Sequence, residues 1–140
     1  MKGDLNHEMI RARFAEIEES LERLYNLRNL STEEFLSSQD TIDIACYRLL
    51  IAIEEALNVC YHVSAKRLQR VPEEYAQCFV LLEEAGIIPP ELSSSLQRMA
   101  KFRNLLVHVY WKVDYGQVYD IIQRNLEDLR SFERAIAKLL

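Results

Sequence analysis

The chain is poor in the residues that form loops, disulfides and membrane spans. Its 140 residues include only three glycines, three prolines and three cysteines. So few helix breakers exclude collagenous and loop-dominated proteins, and an apolar content of 49% excludes intrinsic disorder. No apolar run approaches the roughly 18 residues of a membrane-spanning helix, and the charged start MKGDLNHEMIRARF lacks the hydrophobic region of a signal peptide. We therefore expect a cytoplasmic protein with one domain over residues 1–140.

The three cysteines predict neither a disulfide framework nor a zinc site. They are odd in number and lack C-x-x-C spacing. Cys46 and Cys60 fall on the same apolar stripe of one predicted helix, so we expect both to be small core residues. Glu54, Glu55 and His62 are possible metal ligands in a helical bundle, where carboxylate-bridged metals need Glu-x-x-His on two helices. No acidic residue precedes His62 or His108 by three positions, so the sequence predicts no metal site and no cofactor.

Helical periodicity runs through nearly the whole chain. Apolar residues recur at three- and four-residue intervals, while the alternation and the turn dipeptides of strands are missing. Ser31 followed by Glu34 predicts a short capped helical turn, and Gly86 suits a left-handed helix end. We predict an all-α, up-and-down bundle of four to five helices. Four of the five are expected at about residues 4–28, 41–70, 72–86 and 90–108. The fifth is expected to run from a cap at Asp114 and Gln117 to about residue 139.

The net charge of −5 at first opposes a nucleic-acid partner, because phosphate binding needs clustered Lys and Arg. The acidic residues are concentrated elsewhere, however, since residues 91–115 hold four basic side chains against two acidic ones. The basic residues are Arg98, Lys101, Arg103 and Lys112. This segment is therefore where we expect attraction for RNA.

The stretch FRNLLVHVYWKVDY, residues 102–115, holds the densest set of chemically capable side chains. Histidine exchanges protons near neutrality, and arginine is a permanent cation whose planar fork matches phosphate oxygens. Together they suffice for metal-independent RNA cleavage, with His108 as acid or base and Arg103 stabilising the charge that builds on phosphorus. On spacing alone, a surface ion pair for Arg103 and a packed His108 remain the alternative.

Helical geometry limits how these residues meet. Asn104 and His108 share one face, whereas Arg103 and His108 diverge by about 140°. Both reach one ligand only if the helix ends or distorts near His108, or if the residues meet across two chains. The β-branched and aromatic run before Asp114 favours a helix end there. Asn104 has two possible roles: it orients the imidazole or a phosphate, or it is a surface amide. We expect Trp111 to pack rather than to line the site.

The stretch FRNLLVHVYWKVD resembles the R-x4-H-x-Y signature of the HepT-like toxins, a bacterial and archaeal branch of the all-helical HEPN superfamily. Arg103, His108 and Tyr110 stand at the three signature positions. Three further segments, TIDIACYRLLIAIEEALNVCYHV, YAQCFVLLEEAGIIPPEL and VYDIIQRNLEDL, extend the resemblance over about residues 35–135. This agreement over most of the chain is much more specific than a bare R-x4-H.

The resemblance implies a homodimer whose two motif copies line a shared cleft, with a metal-independent endoribonuclease activity carried by Arg103 and His108. It also implies a partner, an MNT-type nucleotidyltransferase antitoxin that transfers AMP from ATP to Tyr110 and so silences the toxin. An added nucleotide near His108 would occlude and repel the RNA phosphate. Two alternatives stay open: a non-catalytic HEPN subunit that binds nucleotide or substrate for a nucleotidyltransferase complex, and a purely structural helical partner.

Overall fold

The computed structural model describes residues 3–140, so the first two residues of the predicted domain lie outside it. Over the described residues the chain forms seven α-helices and no strand, which confirms the all-α fold class. A π-helical turn (Ser64–Leu68) follows α3, and a 3-10 turn (Tyr110–Lys112) follows α5. The helices are α1 (His7–Leu27), α2 (Thr32–Leu36), α3 (Gln39–Val63), α4 (Tyr75–Glu84), α5 (Pro90–His108), α6 (Tyr115–Arg124) and α7 (Leu126–Ala137).

The predicted helix ends are confirmed where local side chains cap the backbone. The Ser31 hydroxyl accepts from the Glu34 amide at 3.1 Å, and the Glu34 carboxylate accepts from the Ser31 amide at 2.9 Å, so α2 has the expected capping box. Gly86 follows α4 with a φ of +75°, the left-handed conformation that glycine adopts without strain. Asp114 caps α6 by accepting from the Gly116 amide at 2.8 Å, whereas the side chain of Gln117 lines a cleft between α5 and α6.

The structure has seven α-helices where four to five are predicted, because the short capped turn forms α2 and the fifth predicted helix is divided in two. The second predicted helix is also interrupted, without adding an α-helix. The second ends as an α-helix at Val63 and continues as a π-helical turn, which the Gln69 amide closes by donating to the Ser64 carbonyl. The Ser64 hydroxyl in turn donates to the Arg70 carbonyl at 2.7 Å. The fifth is divided at Asn125, whose backbone has φ −119° and ψ 0° between α6 and α7. Its side-chain amide donates to Asp128 at 3.3 Å, a local bond that competes with helical geometry.

Helix α3 is the centre of the bundle, since it contacts each of the other six α-helices. The apolar face of α1 lies along it, with Ile10, Ile17, Leu21 and Leu24 fully buried. Apolar side chains from all seven helices join one core cluster, and α4 packs closely against α5. No helix among residues 3–140 combines the length and the apolar character needed to cross a membrane. The packing of α3, α4 and α5 around one another positions the motif residues.

The prediction that the cysteines form no disulfide was wrong. Cys60 on α3 and Cys78 on α4 are joined by a disulfide, with their Cα atoms 6.2 Å apart and their side chains buried. Sequence spacing does not reveal this pair because helix packing alone brings the two residues together. Cys46 is half-buried as a free thiol on α3, and burial is the main cause that raises its pKa to about 11.

Candidate active site

Helix α5 ends where the sequence predicts, at His108. Val109 has φ −138° and ψ 43°, which is outside the helical region, although its amide still donates to the Leu105 carbonyl at 3.0 Å. Phe102, six residues before the end, is buried in the core, while His108 itself is exposed. The imidazole is therefore carried on the last turn of a helix whose preceding turns are held by the core.

Arg103 is held by three helices. Its side chain is only 11% exposed, and its Nε forms an ion pair with the Glu54 carboxylate on α3. The guanidinium carbon lies 4.4 Å from the ring centroid of Tyr75 on α4, within cation–π distance. Its Nη1 donates to the Asn104 side-chain oxygen at 3.0 Å. A nearly buried guanidinium with a carboxylate on one edge and an aromatic ring against it has little freedom to move.

Asn104 and His108 line the same groove, as their four-residue spacing predicts. The groove has a volume of about 400 Å³ and is open to solvent. Arg103 does not line it, but contacts two residues that do, Asn104 and Tyr75. Within one chain the structure therefore places Arg103 behind the groove and His108 on its wall. The lining residues are Glu74, Tyr75, Lys101, Asn104, Leu105, His108 and Val109.

A second aromatic ring supports Tyr75 from within the bundle. Tyr61 on α3 meets Tyr75 edge to face, with ring centroids 5.8 Å apart. Burial is the main cause that raises the pKa of Tyr61, and the Arg103 cation opposes that shift. The Arg103 guanidinium therefore lies against two layers of aromatic side chains.

Tyr110 and Trp111 extend into solvent just beyond the groove. They are 68% and 69% exposed, and their rings meet edge to face with centroids 5.6 Å apart. The expectation that Trp111 packs was wrong, because α5 ends at His108 and no residue of the following 3-10 turn is buried. The phenol of Tyr110 is therefore accessible two residues after the histidine.

No group of three or more His, Cys, Asp and Glu side chains is arranged to hold a metal ion in the part of the chain that the structure describes. Glu54, one of the three residues considered as metal ligands from the sequence, pairs with Arg103 instead.

Comparison with known families decides the classification. A sequence profile described as "Ribonuclease HepT-like" matches residues 17–136, which include the whole motif. The chain belongs to the HepT-like ribonuclease family. The HepT-like profile also covers α3, α4 and α5, the helices that hold Arg103.

Two relatives carry nuclease names, and one solved structure of the same fold is described as a toxin. The "mRNA nuclease HepT" of Shewanella oneidensis is 28% identical over 79 residues, which are 56% of this chain and 59% of that protein. The "tRNA nuclease HepT" of Aphanizomenon flos-aquae is 26% identical over 132 residues, covering 94% of this chain and 90% of that protein. A solved structure described as a tri-AMPylated Shewanella oneidensis HEPN toxin in complex with MNT antitoxin is 23% identical, with a TM-score of 0.85 over 93% of this chain and 97% of that one. The structural likeness shows that the fold is shared.

In this HepT-like chain, the four site residues named from the sequence lie at or beside one end of α5. Sequence reasoning missed Tyr75 altogether and considered Glu54 only as a metal ligand. The one sequence feature that pointed to a partner for Glu54 was its position within the largely apolar run IAIEEAL of α3. A buried helix rarely carries an unpaired acid, so an ionic partner was to be expected, but nothing in the sequence identified Arg103 as that partner.

Proposed function

We propose that this protein is the toxin of a toxin–antitoxin pair and acts as a metal-independent endoribonuclease. The observation that carries the proposal is the exposed His108 on the wall of a groove, with Asn104 beside it and a firmly held Arg103 directly behind. The arrangement brings a proton-transfer group, His108, and a permanent cation, Arg103, together at one helix end. The nuclease names of the two curated relatives support the same activity.

In the proposed reaction the RNA 2′-oxygen attacks the adjacent phosphorus. Its proton passes to a neutral imidazole, the bond from phosphorus to the 5′-oxygen breaks, and the departing oxygen takes a proton from an imidazolium. The products are a 2′,3′-cyclic phosphate and a 5′-hydroxyl. Arg103 stabilises the negative charge that builds on the phosphate oxygens, and Asn104 positions either the imidazole or the phosphate.

A homodimer would supply both a neutral imidazole and an imidazolium at one scissile bond. Arg103 and His108 diverge by about 140° around an ideal helix, so one copy's residues do not surround a phosphate from both sides. Two copies meeting at their α5 ends would place one histidine as base and the other as acid. Dimer formation would also double the basic character of this segment without changing the acidic remainder of the surface.

Silencing is proposed to occur through Tyr110. Its exposed phenol oxygen would attack the α-phosphorus of ATP held by an MNT-type nucleotidyltransferase antitoxin, with pyrophosphate leaving and the phenolic proton passing to the partner or solvent. The attached AMP would add bulk and negative charge two residues from His108, where the RNA phosphate must bind. The tri-AMPylated toxin among the structural neighbours supports this regulation.

The direct test is RNA cleavage in the presence of EDTA by purified wild type, His108→Ala and Arg103→Ala. Loss of His108 is expected to lower the rate by about 10²- to 10⁴-fold, the range for positioned acid–base catalysis. Because His108 is exposed, its alanine variant should keep the wild-type Tm, which separates catalysis from folding. Equal cleavage by all three proteins would assign the activity to a contaminant and overturn the proposal.

One observation favours a second function, that of a non-catalytic subunit which binds nucleotide or substrate for a nucleotidyltransferase. Arg103 is already paired with Glu54 and does not line the groove, which suits a structural cation as well as a catalytic one. This alternative predicts that wild type binds RNA or nucleotide and cleaves nothing, with or without metal ions. The same set of proteins decides between the two functions.

A further inference from the structure

A second cavity lies between α5 and α6, on the face of α5 next to the His108 groove. It has a volume of about 200 Å³. Its floor is apolar and is formed by Met99, Phe102 and Ile121. We call it the α5–α6 cleft, and its remaining lining residues are Ser95, Arg98, Gln117, Asp120, Arg124 and Asn125. An apolar floor with polar groups around it is the usual composition of a small-ligand site, here with space for about one planar base.

Two guanidinium groups on the rim of this cleft are available to a ligand. Arg98 on α5 and Arg124 on α6 are exposed, and no ion pair or hydrogen bond of the described residues engages either guanidinium. Asp120 lies on the same rim, and no ion pair between described residues engages it, so the rim carries a net charge of about +1. In a chain of net charge −5, a rim with two unpaired arginines is locally attractive to phosphate.

The other polar groups at the cleft are arranged by contacts within the protein. The Ser95 hydroxyl hydrogen-bonds to the Asp128 carboxylate, and the Asn125 amide donates to the same carboxylate at 3.3 Å. These two hydrogen bonds hold the Asp128 carboxylate in place next to the cleft, outside its lining. Gln117 keeps a side-chain amide on the lining, where it can donate to or accept from a base edge.

The cleft and the groove are connected along one helix. Arg98, Lys101 and His108 follow each other on neighbouring positions of a single stripe of α5, and Lys101 lines the groove. Ten residues separate Arg98 from His108, a rise of about 15 Å, which corresponds to roughly four stacked nucleotides at about 3.4 Å each. A single RNA strand that places one phosphate at His108 therefore extends over Lys101 to reach the cleft.

We propose that the α5–α6 cleft is a substrate subsite that binds one nucleotide of the RNA strand, several nucleotides away from the scissile bond. The base rests on the floor formed by Met99, Phe102 and Ile121, and the phosphates on its 5′ and 3′ sides lie one against Arg98 and one against Arg124. Guanidinium forks match phosphate oxygens and stack on bases, so both arginines suit this role better than lysines would. The inference deepens the proposed ribonuclease function and rests on it.

The test measures binding apart from cleavage. A fluorescently labelled 12-nucleotide single-stranded RNA is titrated with His108→Ala protein and with the same protein carrying Arg98→Ala and Arg124→Ala, at 50 and 200 mM salt. If the two arginines contact two phosphates, the double variant should bind about tenfold more weakly at low salt. The slope of log affinity against log salt should also decrease by about 1.4, at 0.7 per phosphate.

Two further variants sharpen the result. Arg11→Ala with Arg23→Ala removes two exposed arginines of α1, and no ion pair or hydrogen bond of the described residues engages their guanidinium groups. This control loses the same net charge and should bind RNA as the parent does, within about twofold. Arg98→Lys with Arg124→Lys keeps the charge and loses the fork, so it should bind with intermediate affinity.

Cleavage by proteins with an intact His108 separates the inference from the function on which it rests. Loss of Arg98 and Arg124 should raise KM with kcat unchanged, because the subsite does not touch the reacting bond. RNA affinity and salt slope equal to those of the α1 control would overturn the subsite while leaving the ribonuclease intact. If the double variant binds RNA as the parent does but no longer binds a co-expressed nucleotidyltransferase, the cleft is a protein interface and the subsite is overturned. Binding that depends on both arginines, without any cleavage, would support the subsite and overturn the ribonuclease.

Discussion

The ion pair between Glu54 and Arg103 makes the strongest quantitative prediction of the site. Glu54→Ala leaves a guanidinium that is 11% exposed without its carboxylate partner, and a buried donor left unsatisfied costs about 1–3 kcal/mol. The Glu54 side chain is 31% exposed, so water replaces part of the lost bond and we expect a loss near the lower half of that range, about 1–2 kcal/mol. For a chain of this length each kcal/mol lowers the Tm by about 4 °C, which gives a decrease of about 4–8 °C.

The effect on catalysis should exceed the effect on stability. Freed from Glu54, the guanidinium is no longer fixed behind Asn104, and a misplacement of about 1 Å is enough to lower the rate by about 10²-fold. Glu54→Gln keeps an oxygen acceptor for the Arg103 Nε and loses only the charge. We therefore expect Glu54→Gln to recover most of the activity lost in Glu54→Ala, which a purely electrostatic role would not allow.

The neighbouring Glu55 provides a matched control on the same helix. Its carboxylate pairs with Arg13 on α1 at 2.9 Å and accepts from the Asn58 amide at 3.2 Å, so it faces away from the motif. Glu55→Ala should lower the Tm by a similar amount and leave kcat unchanged. Thermal unfolding and single-turnover RNA cleavage measure the two quantities. Equal losses of activity in the Glu54 and Glu55 variants would refute the reasoning, because the effect would then follow stability alone.

Three further predictions concern other parts of the chain. Tyr110→Phe should keep RNA cleavage but block the mass increase by AMP on co-expression with the nucleotidyltransferase, and an unchanged mass increase would remove Tyr110 as the acceptor. Burial, together with a hydrogen bond to Glu18, raises the pKa of Glu133 to about 8. The folded state therefore retains a proton that the unfolded carboxyl releases near its ordinary pKa of 4.5, and stability should fall as pH rises from about 4.5 to 8. Glu133→Gln should flatten that decline, and parallel Tm curves for both proteins between pH 5 and 9 would contradict it. Trp111→Ala should change the free energy of unfolding by less than about 0.5 kcal/mol because the side chain is exposed, whereas Phe79→Ala should cost about 3–5 kcal/mol in urea unfolding.

Features that depend on neighbouring residues could be predicted from the sequence. The capping box of Ser31, the left-handed Gly86 and the Asp114 cap each involve contacts within a few positions, so spacing and residue type suffice. The shared face of Asn104 and His108 follows from four-residue spacing, and the end of α5 follows from the residues beyond it. These local rules were enough to identify the all-α class and one wall of the candidate site.

The interruptions of the long helices were missed because competing bonds override periodicity. Apolar spacing continues through Ser64 and Asn125, yet at each interruption a polar side chain bonds to a nearby group that a continuous helix would not engage. Trp111 was expected to pack, but its environment depends on which way the chain turns after His108. Hydrophobicity indicates which residues gain from burial without showing which of them the core can reach.

By itself, the sequence determined that this chain is helical, where most of its helices begin and end, and which residues stand together at the end of α5. Only the tertiary structure decided that Arg103 pairs with Glu54, 49 positions away, that Cys60 joins Cys78, and that a cleft opens between α5 and α6. The physical reason is that helical periodicity records contacts within about one turn, whereas these pairings depend on how whole helices pack against each other.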